Sequence, residues 1–242
     1  MPEYYRTTSQ VSRSAQSITI SKFMSKVYLW MFFGLVITAG TAYYIASHPV
    51  ILQAVLRSSG LLLFLIVAQI GIVIALSWAI NRINAGVAAL LYILYTILTG
   101  VVFSIIFLAY TGKTIQSAFL VTAISFFGLT LFGLVTKRDL GPLGKFCVMG
   151  LFGIIGFMLL AFFIPGLRAD TAQMVISAAG VIVFAGLTAY DTQIIKNQYI
   201  LSNPNGEGVI TKQAIFGALK LYLDFINLFL MLLRLFGGAS RR

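Results

Sequence analysis

Two aspartates, Asp191 and Asp224, stand inside long apolar stretches of a chain that carries only 6 acidic residues. A carboxylate at the centre of a membrane helix costs about 2.5–3.5 kcal/mol or more, so such residues mark proton relays, ion paths or counter-ions. The other acids, Glu3, Asp139, Asp170 and Glu207, fall in tails or loops. Asp224 is about ten residues into its apolar segment, a depth of about 15 Å at the rise of a helix and close to a bilayer midplane. Asp191 lies towards the C-terminal end of the preceding segment, where water reaches more easily. If the two carboxyls meet, they cannot both ionise cheaply and will share a proton. Deprotonated, they offer a divalent cation hard oxygen ligands, at most four of the roughly six to eight that calcium takes, which suits a leak better than storage.

The nearest cations are Arg82, at the end of the second apolar segment, and Lys220, one turn before Asp224. A basic residue that pairs with the acids in one state and leaves them in another makes a switch. A static arrangement could use the same residues. Lys220 would neutralise Asp224 along one helix face, Asn227 would hydrogen-bond the carboxylate, and Asp191 would cap a loop or pair with Lys196. Other chemistry is closed off. With 1 cysteine, Cys147, and 1 histidine, His48, neither a disulfide within the chain nor a Cys/His zinc cluster can form. Cys147 reads as a small buried hydrophobe, and His48, before Pro49, as a solvated turn residue. The order Lys220 then Asp224 is the reverse of that in retinal proteins. Leu221-Tyr222-Leu223-Asp224 lacks the Gly-x-Gly-Asp of intramembrane aspartyl proteases. The chain is expected to be no enzyme and to hold no resident cofactor.

Such acids imply a membrane around them. Of 242 residues, 60% are hydrophobic, 14% aromatic and 10% charged, against about a quarter charged in soluble domains; mean hydropathy is +0.98. This excludes a soluble enzyme, a disordered chain and a nucleic-acid module. Apolar segments cover about 27–46, 61–80, 86–109, 116–136, 144–164, 171–194 and 214–235, each long enough for a hydrocarbon core about 30 Å thick. The pattern predicts an all-α membrane protein, a seven-transmembrane-helix bundle over 27–236. A polar basic tail over 1–26, in part an interfacial helix, precedes it, and a short tail over 237–242 follows. The sixth and seventh segments are expected to be joined by a loop of about 20 residues. Gly150, Gly153 and Gly156, and Ala178, Ala179, Gly180 and Gly186, recur at spacings that read as helix-packing faces.

The net charge of +11 would suggest nucleic acid in a soluble protein. Here the basic residues sit between apolar runs and at the termini, where membrane topology places them. On the N-terminal side lie ten, Arg6, Arg13, Lys22, Lys26, Arg82, Lys137, Arg138, Lys145, Lys196 and Lys212. On the other lie six, Arg57, Lys113, Arg168, Arg234, Arg241 and Arg242. The bias predicts a cytoplasmic N-terminus and a C-terminus across the membrane.

Gly180-Val181-Ile182-Val183-Phe184, continuing through Gly186-Leu187-Thr188-Ala189-Tyr190-Asp191-Thr192-Gln193, resembles the sixth helix of the Bax inhibitor-1 family. Leu219 and Leu221-Tyr222-Leu223-Asp224-Phe225-Ile226-Asn227-Leu228-Phe229, with Leu232-Leu233-Arg234, resemble its seventh. The resemblance extends over nearly the whole chain, including Thr136-Lys137-Arg138-Asp139-Leu140, and is nearest to the bacterial inner-membrane branch. It implies a fold in which helix seven is central and wrapped by the other six. It also implies a pH-sensitive calcium leak whose paired-aspartate sensor falls on Asp191 and Asp224. In that family an arginine near the end of helix two latches to the helix-six aspartate in the closed state, and Arg82 is the match. Lys220 departs from the small polar residue usual at its position.

The leading expectation is therefore a multi-pass inner-membrane leak channel for Ca²⁺ or other cations, with the lipid bilayer as its surroundings. Protonation of the acids would accompany closure, and deprotonation would release Arg82. The alternative is a regulatory partner of membrane-protein quality control, such as a membrane protease, acting through the N-terminal tail without ion flux.

Overall fold

The computed structural model describes residues 3–239 except 81, 203 and 205, and for residues 3–17, 59, 238 and 239 it describes the backbone alone. The side chains of Arg6 and Arg13, and Asn81, Asn203, Asn205, Arg241 and Arg242, lie outside the described residues. Those described form helices α1 (Glu3–Ala46), α2 (Pro49–Arg57), α3 (Ser59–Ala79), α4 (Ala85–Phe103), α5 (Ile106–Ala109), α6 (Gly112–Val135), α7 (Gly141–Phe163), α8 (Asp170–Ser202) and α9 (Glu207–Ala239). A 3-10 turn at Pro165–Arg168 links α7 to α8.

Among the described residues, 7 stretches are long and apolar enough to cross a membrane: Ile18–Ala46, Gly60–Ala79, Ala85–Ala109, Gly112–Val135, Gly141–Phe163, Asp170–Ser202 and Glu207–Gly237. The chain is thus an all-α membrane protein of seven helical spans. Local chemistry sets several starts. The side chains of Ser58, Asn84 and Thr111 accept the backbone N–H groups of Leu61, Val87 and Thr114 at 3.2, 2.9 and 3.3 Å, meeting donors that a helix N-terminus leaves free. Pro49 and Pro142 open α2 and α7, where a missing N–H does no harm.

Helix α9 is the centre of the bundle. Inside its span 72% of the most apolar window is buried, against 17–39% for the others. Ala214, Ile215, Ala218, Leu219, Leu221, Tyr222 and Leu228 are enclosed on several sides of this helix, although it also carries Lys220, Asp224 and Asn227. The surrounding is done by four helices, α1, α4, α6 and α8, which pack directly on α9. Helix α3 lies outside α4, and α7 outside α8. Their outward residues, such as Phe64 and Ile74 on α3 and Phe152 and Phe163 on α7, are exposed, as lipid-facing positions should be.

Several boundaries differ from the hydropathy reading. The loop expected between the sixth and seventh segments is instead helix, leaving only 203–206 as the connection. Polar residues such as Lys196, Asn197 and Gln198 lower hydropathy without breaking a helix. The N-terminal tail is helical from Glu3 and enters the first span with no break at residue 26. Phe23 and Met24 are buried, and the Phe23 ring stacks on Tyr199 of α8 at 4.0 Å between centroids. The connection after His48 contains the short helix α2. The glycine stripe of α7 is only partly a packing face. A side chain at Gly150 would meet Val183 Cγ2 at 2.7 Å, whereas Gly153 and Gly156 face open space. On α8, Gly180 and Gly186 lie against Met231 and Cys147, while Ala178 and Ala179 are exposed. Cys147 is buried, as expected of a small hydrophobe.

Candidate functional site

The site is set by the register of one helical hairpin. Helices α8 and α9 turn back on each other through 203–206, where Gly206 adopts a φ of 91°, a left-handed conformation that favours glycine. Asp191 lies eleven residues before Ser202, and Lys220 and Asp224 lie thirteen and seventeen residues after Glu207. At the helical rise these are distances of about 17, 20 and 26 Å from the turn. Lys220 is therefore nearly level with Asp191, and Asp224 lies about 6 Å deeper.

The side chains follow that register. Lys220 Nζ lies 3.8 Å from Asp191 Oδ1, with side chains 30% and 17% exposed, and 5.7 Å over the Phe216 ring, a distance that permits cation–π attraction. Asp224 is 5% exposed. Its Oδ2 is buried with no hydrogen-bond partner among the described residues, and Lys220 stands one turn before it on the same helix. Two carboxyls and one ammonium thus form one electrostatic group at the middle of the bundle.

The other expected partners are engaged elsewhere. Asn227 Nδ2 donates to the Leu223 carbonyl at 2.8 Å, within its own helix, rather than to a carboxylate. Lys196 Nζ donates to the Leu134 carbonyl at 2.7 Å, closing the C-terminal end of α6 instead of pairing with Asp191. Arg82 is exposed in the turn after α3, beside a recess formed with Trp78 and Ala79. Among the described residues the ion pairs are Lys26–Glu207 and Lys220–Asp191, so the cation placed at Asp191 is Lys220 and not Arg82. His48 is exposed, and its Nδ1 is 2.7 Å from the Tyr44 carbonyl oxygen.

The walls of the site are made by close approach and by satisfied hydroxyls. Any side chain at Gly133 of α6 would strike the Ala189 carbonyl, and any at Gly144 of α7 would strike the Tyr190 ring, so both helices close on α8 beside Asp191. Thr188 and Thr192 donate back to the Phe184 and Thr188 carbonyls, each at 2.7 Å. On the other side of α9, Thr38 donates to the Thr96 carbonyl at 2.9 Å. Its single proton is thereby used, so Tyr222 donates to Thr38 across 2.6 Å.

Sequence reasoning missed Gln193, although it belongs to the run around Asp191. Its Oε1 accepts the Leu140 N–H and its Nε2 donates to the Arg138 carbonyl, both at 2.9 Å. One amide thus staples the α6–α7 turn to α8, two residues from Asp191. Gln193→Leu is expected to lower stability by about 1–3 kcal/mol, because two backbone groups lose their partner at a buried place. Thermal unfolding of the purified variant in detergent checks this, and a midpoint equal to that of the wild type would show that the staple holds nothing.

A bundle of seven membrane spans, one of them a central helix that carries a buried carboxylate and, a turn before it, an ammonium facing a second carboxylate on the preceding helix, is a polytopic membrane protein with an ionisable core. The family model described as "Inhibitor of apoptosis-promoting Bax1" matches residues 20–241, and the chain belongs to this family, the Bax inhibitor-1 family. It is 43% identical over 219 residues to "Inner membrane protein YbhL" of Escherichia coli K12, covering 90% of this chain and 92% of that one. It is 39% identical over 228 residues to a Borreliella burgdorferi protein, covering 94% and 97% of the two chains. The protein YrjE of Lactococcus lactis is 37% identical over 222 residues, with coverage of 91% and 92%.

Proposed function

We propose that this protein is a pH-sensitive leak path for calcium or a similar cation across a bacterial inner membrane, gated at Asp191 and Asp224. The observation that carries the reading is the orphaned Asp224 Oδ2 at the centre of the bundle, beside a pair that has already neutralised itself. Two carboxylates and one ammonium leave one negative charge without a partner. In a dry interior that charge is removed most cheaply by a proton or by a cation. With the proton bound, the group of three is neutral and offers a cation nothing. With the proton lost, the group carries one net negative charge and draws a cation from the nearer water. Flux should therefore rise as pH rises. Lys220, rather than Arg82, holds Asp191 in the arrangement described, so Lys220 is the residue that a passing cation must displace. The membership of the family and the "inner membrane" name of the Escherichia coli relative support the location. The excess of basic residues on the N-terminal side supports a cytoplasmic N-terminus and a periplasmic C-terminus.

The test is calcium flux into liposomes holding the purified protein, followed with an enclosed dye from mildly acidic to mildly alkaline pH. Wild type should show flux that grows with pH, and Asp191→Asn should flatten that dependence. Equal profiles for the two proteins would sink the sensor. Absence of flux at any pH would instead favour the regulatory partner of membrane-protein quality control.

A further inference from the structure

A cavity of about 330 Å³, lined by none of Asp191, Lys220 and Asp224, lies between α1, the α4–α5 bend, α6 and α9. Its walls are Ala39 and Ala42 of α1, Phe107 of α5 and Ile115 and Phe119 of α6, and its floor includes Phe225 of α9. The polar residues on it are Thr38, already bonded to Tyr222 and the Thr96 carbonyl, and Gln116. Water needs two or more polar partners to stay in such a space, and this lining does not provide them. An empty hollow of this size would forfeit the dispersion contacts of every atom around it.

The depth of the cavity identifies what fills it. Along α1 it runs from Ala42, four residues below the helix end at Ala46, down to Leu35. That is from about 6 to about 17 Å below the helix end, which is the depth of hydrocarbon in one leaflet of a bilayer. Gly112, the first residue of α6, lines the cavity, and a side chain there would meet nothing within 4 Å. Lys113 follows it and is exposed, a positive charge at the level where lipid phosphates lie. We infer that this cavity holds one acyl chain of an anionic membrane phospholipid, the headgroup resting by Lys113 and the chain end reaching Phe225, next to Asp224. The inference does not depend on ion flux.

The test uses the full chain in phosphatidylethanolamine vesicles that contain a trace of phosphatidylglycerol with a diazirine near the end of one acyl chain. After irradiation, labelled peptides are mapped by mass spectrometry. Label should concentrate on 35–42, 106–119 and 225–229, about fivefold above the outward face of α7, a preference of about 1 kcal/mol. Ala39→Phe, which grows a ring into the hollow, should remove that excess and leave the α7 label unchanged. Ile115→Trp should do the same from the opposite wall, should Ala39→Phe fail to fold. Lys113→Glu should lower the label from phosphatidylglycerol relative to a phosphatidylcholine probe. Equal labelling of the cavity and α7 overturns the inference, as does an excess that survives both filling variants. Labelling by a diazirine fatty acid but not by the phospholipid overturns the assignment to a phospholipid.

Discussion

Replacing Asp224 by leucine is expected to make the protein more resistant to heat and to abolish the calcium flux proposed above. Asp224 is the one acidic or basic side chain buried among the described residues, and one of its oxygens has no hydrogen-bond partner there. A buried polar atom left without a partner costs about 1–3 kcal/mol. Leucine keeps the branch at Cγ and puts two methyl groups where the two oxygens were. It also leaves Asp191 and Lys220 as a single pair, one charge against one. The gain should be about 1–3 kcal/mol, which for a chain of this size moves the unfolding midpoint by about 2–4 °C per kcal/mol. Flux should vanish because the uncompensated charge that attracts a cation is gone. Stabilisation that removes activity is the expected mark of a residue kept for function. A lowered midpoint in detergent would show that Asp224 holds the core together, and retained flux in liposomes would remove it from the path.

The second large effect is a reversal. Lys220→Met takes away the ammonium and leaves Asp191 without its partner inside the bundle. Removing one partner of a fully buried ion pair costs about 3–5 kcal/mol. This pair retains side-chain exposures of 30% and 17%, so a smaller loss of about 1–3 kcal/mol is expected once water is allowed to screen it. Asp191→Asn added to Lys220→Met should then restore more than half of that loss, since the second change removes the charge that the first left alone. A double-mutant cycle on unfolding midpoints measures the coupling. Simple additivity of the two changes would show that the ion pair contributes nothing in the membrane protein.

Much of this was legible in the chain, for identifiable reasons. Hydropathy finds spans because lipid tolerates few charges, and all seven spans appear where apolar runs predicted them. It does not find helix ends, because Gln193, Lys196 and Thr211 lower hydropathy but continue the hydrogen-bonded ladder beyond the lipid. That is how a supposed loop became the last turns of α8 and the first of α9. The scarcity of acids pointed to Asp191 and Asp224, of which Asp224 is buried and Asp191 partly buried. Spacing along one helix could not say which of them Lys220 faces. The four-residue interval points to Asp224, but the level of Lys220 relative to α8 depends on the length of the turn at 203–206, and that favours Asp191. Glycine spacing failed in part for a similar reason, since Gly150 against Val183 and Gly153 against open space look alike in sequence. Asn227 reads as a partner for a carboxylate, yet its amide reaches its own helix more readily. Gln193 gave no signal, because its two partners are backbone groups of a turn some fifty residues earlier.

The central place of α9 bears on how the molecule is made. This helix follows the six other spans in the chain and carries the interior charges Lys220 and Asp224. While a ribosome is still producing it, those six have already entered the bilayer and α1, α4, α6 and α8 have no common partner. Their inner faces, including Thr38, Thr96 and Asp191, then meet one another or lipid. The bundle can reach its final packing only when α9 slides between them, bringing Lys220 to Asp191 in the same movement. The packing of α1 on α4 and of α8 on α6 and α7 does not involve α9, but the core these helices enclose is complete only with the residues that follow 206.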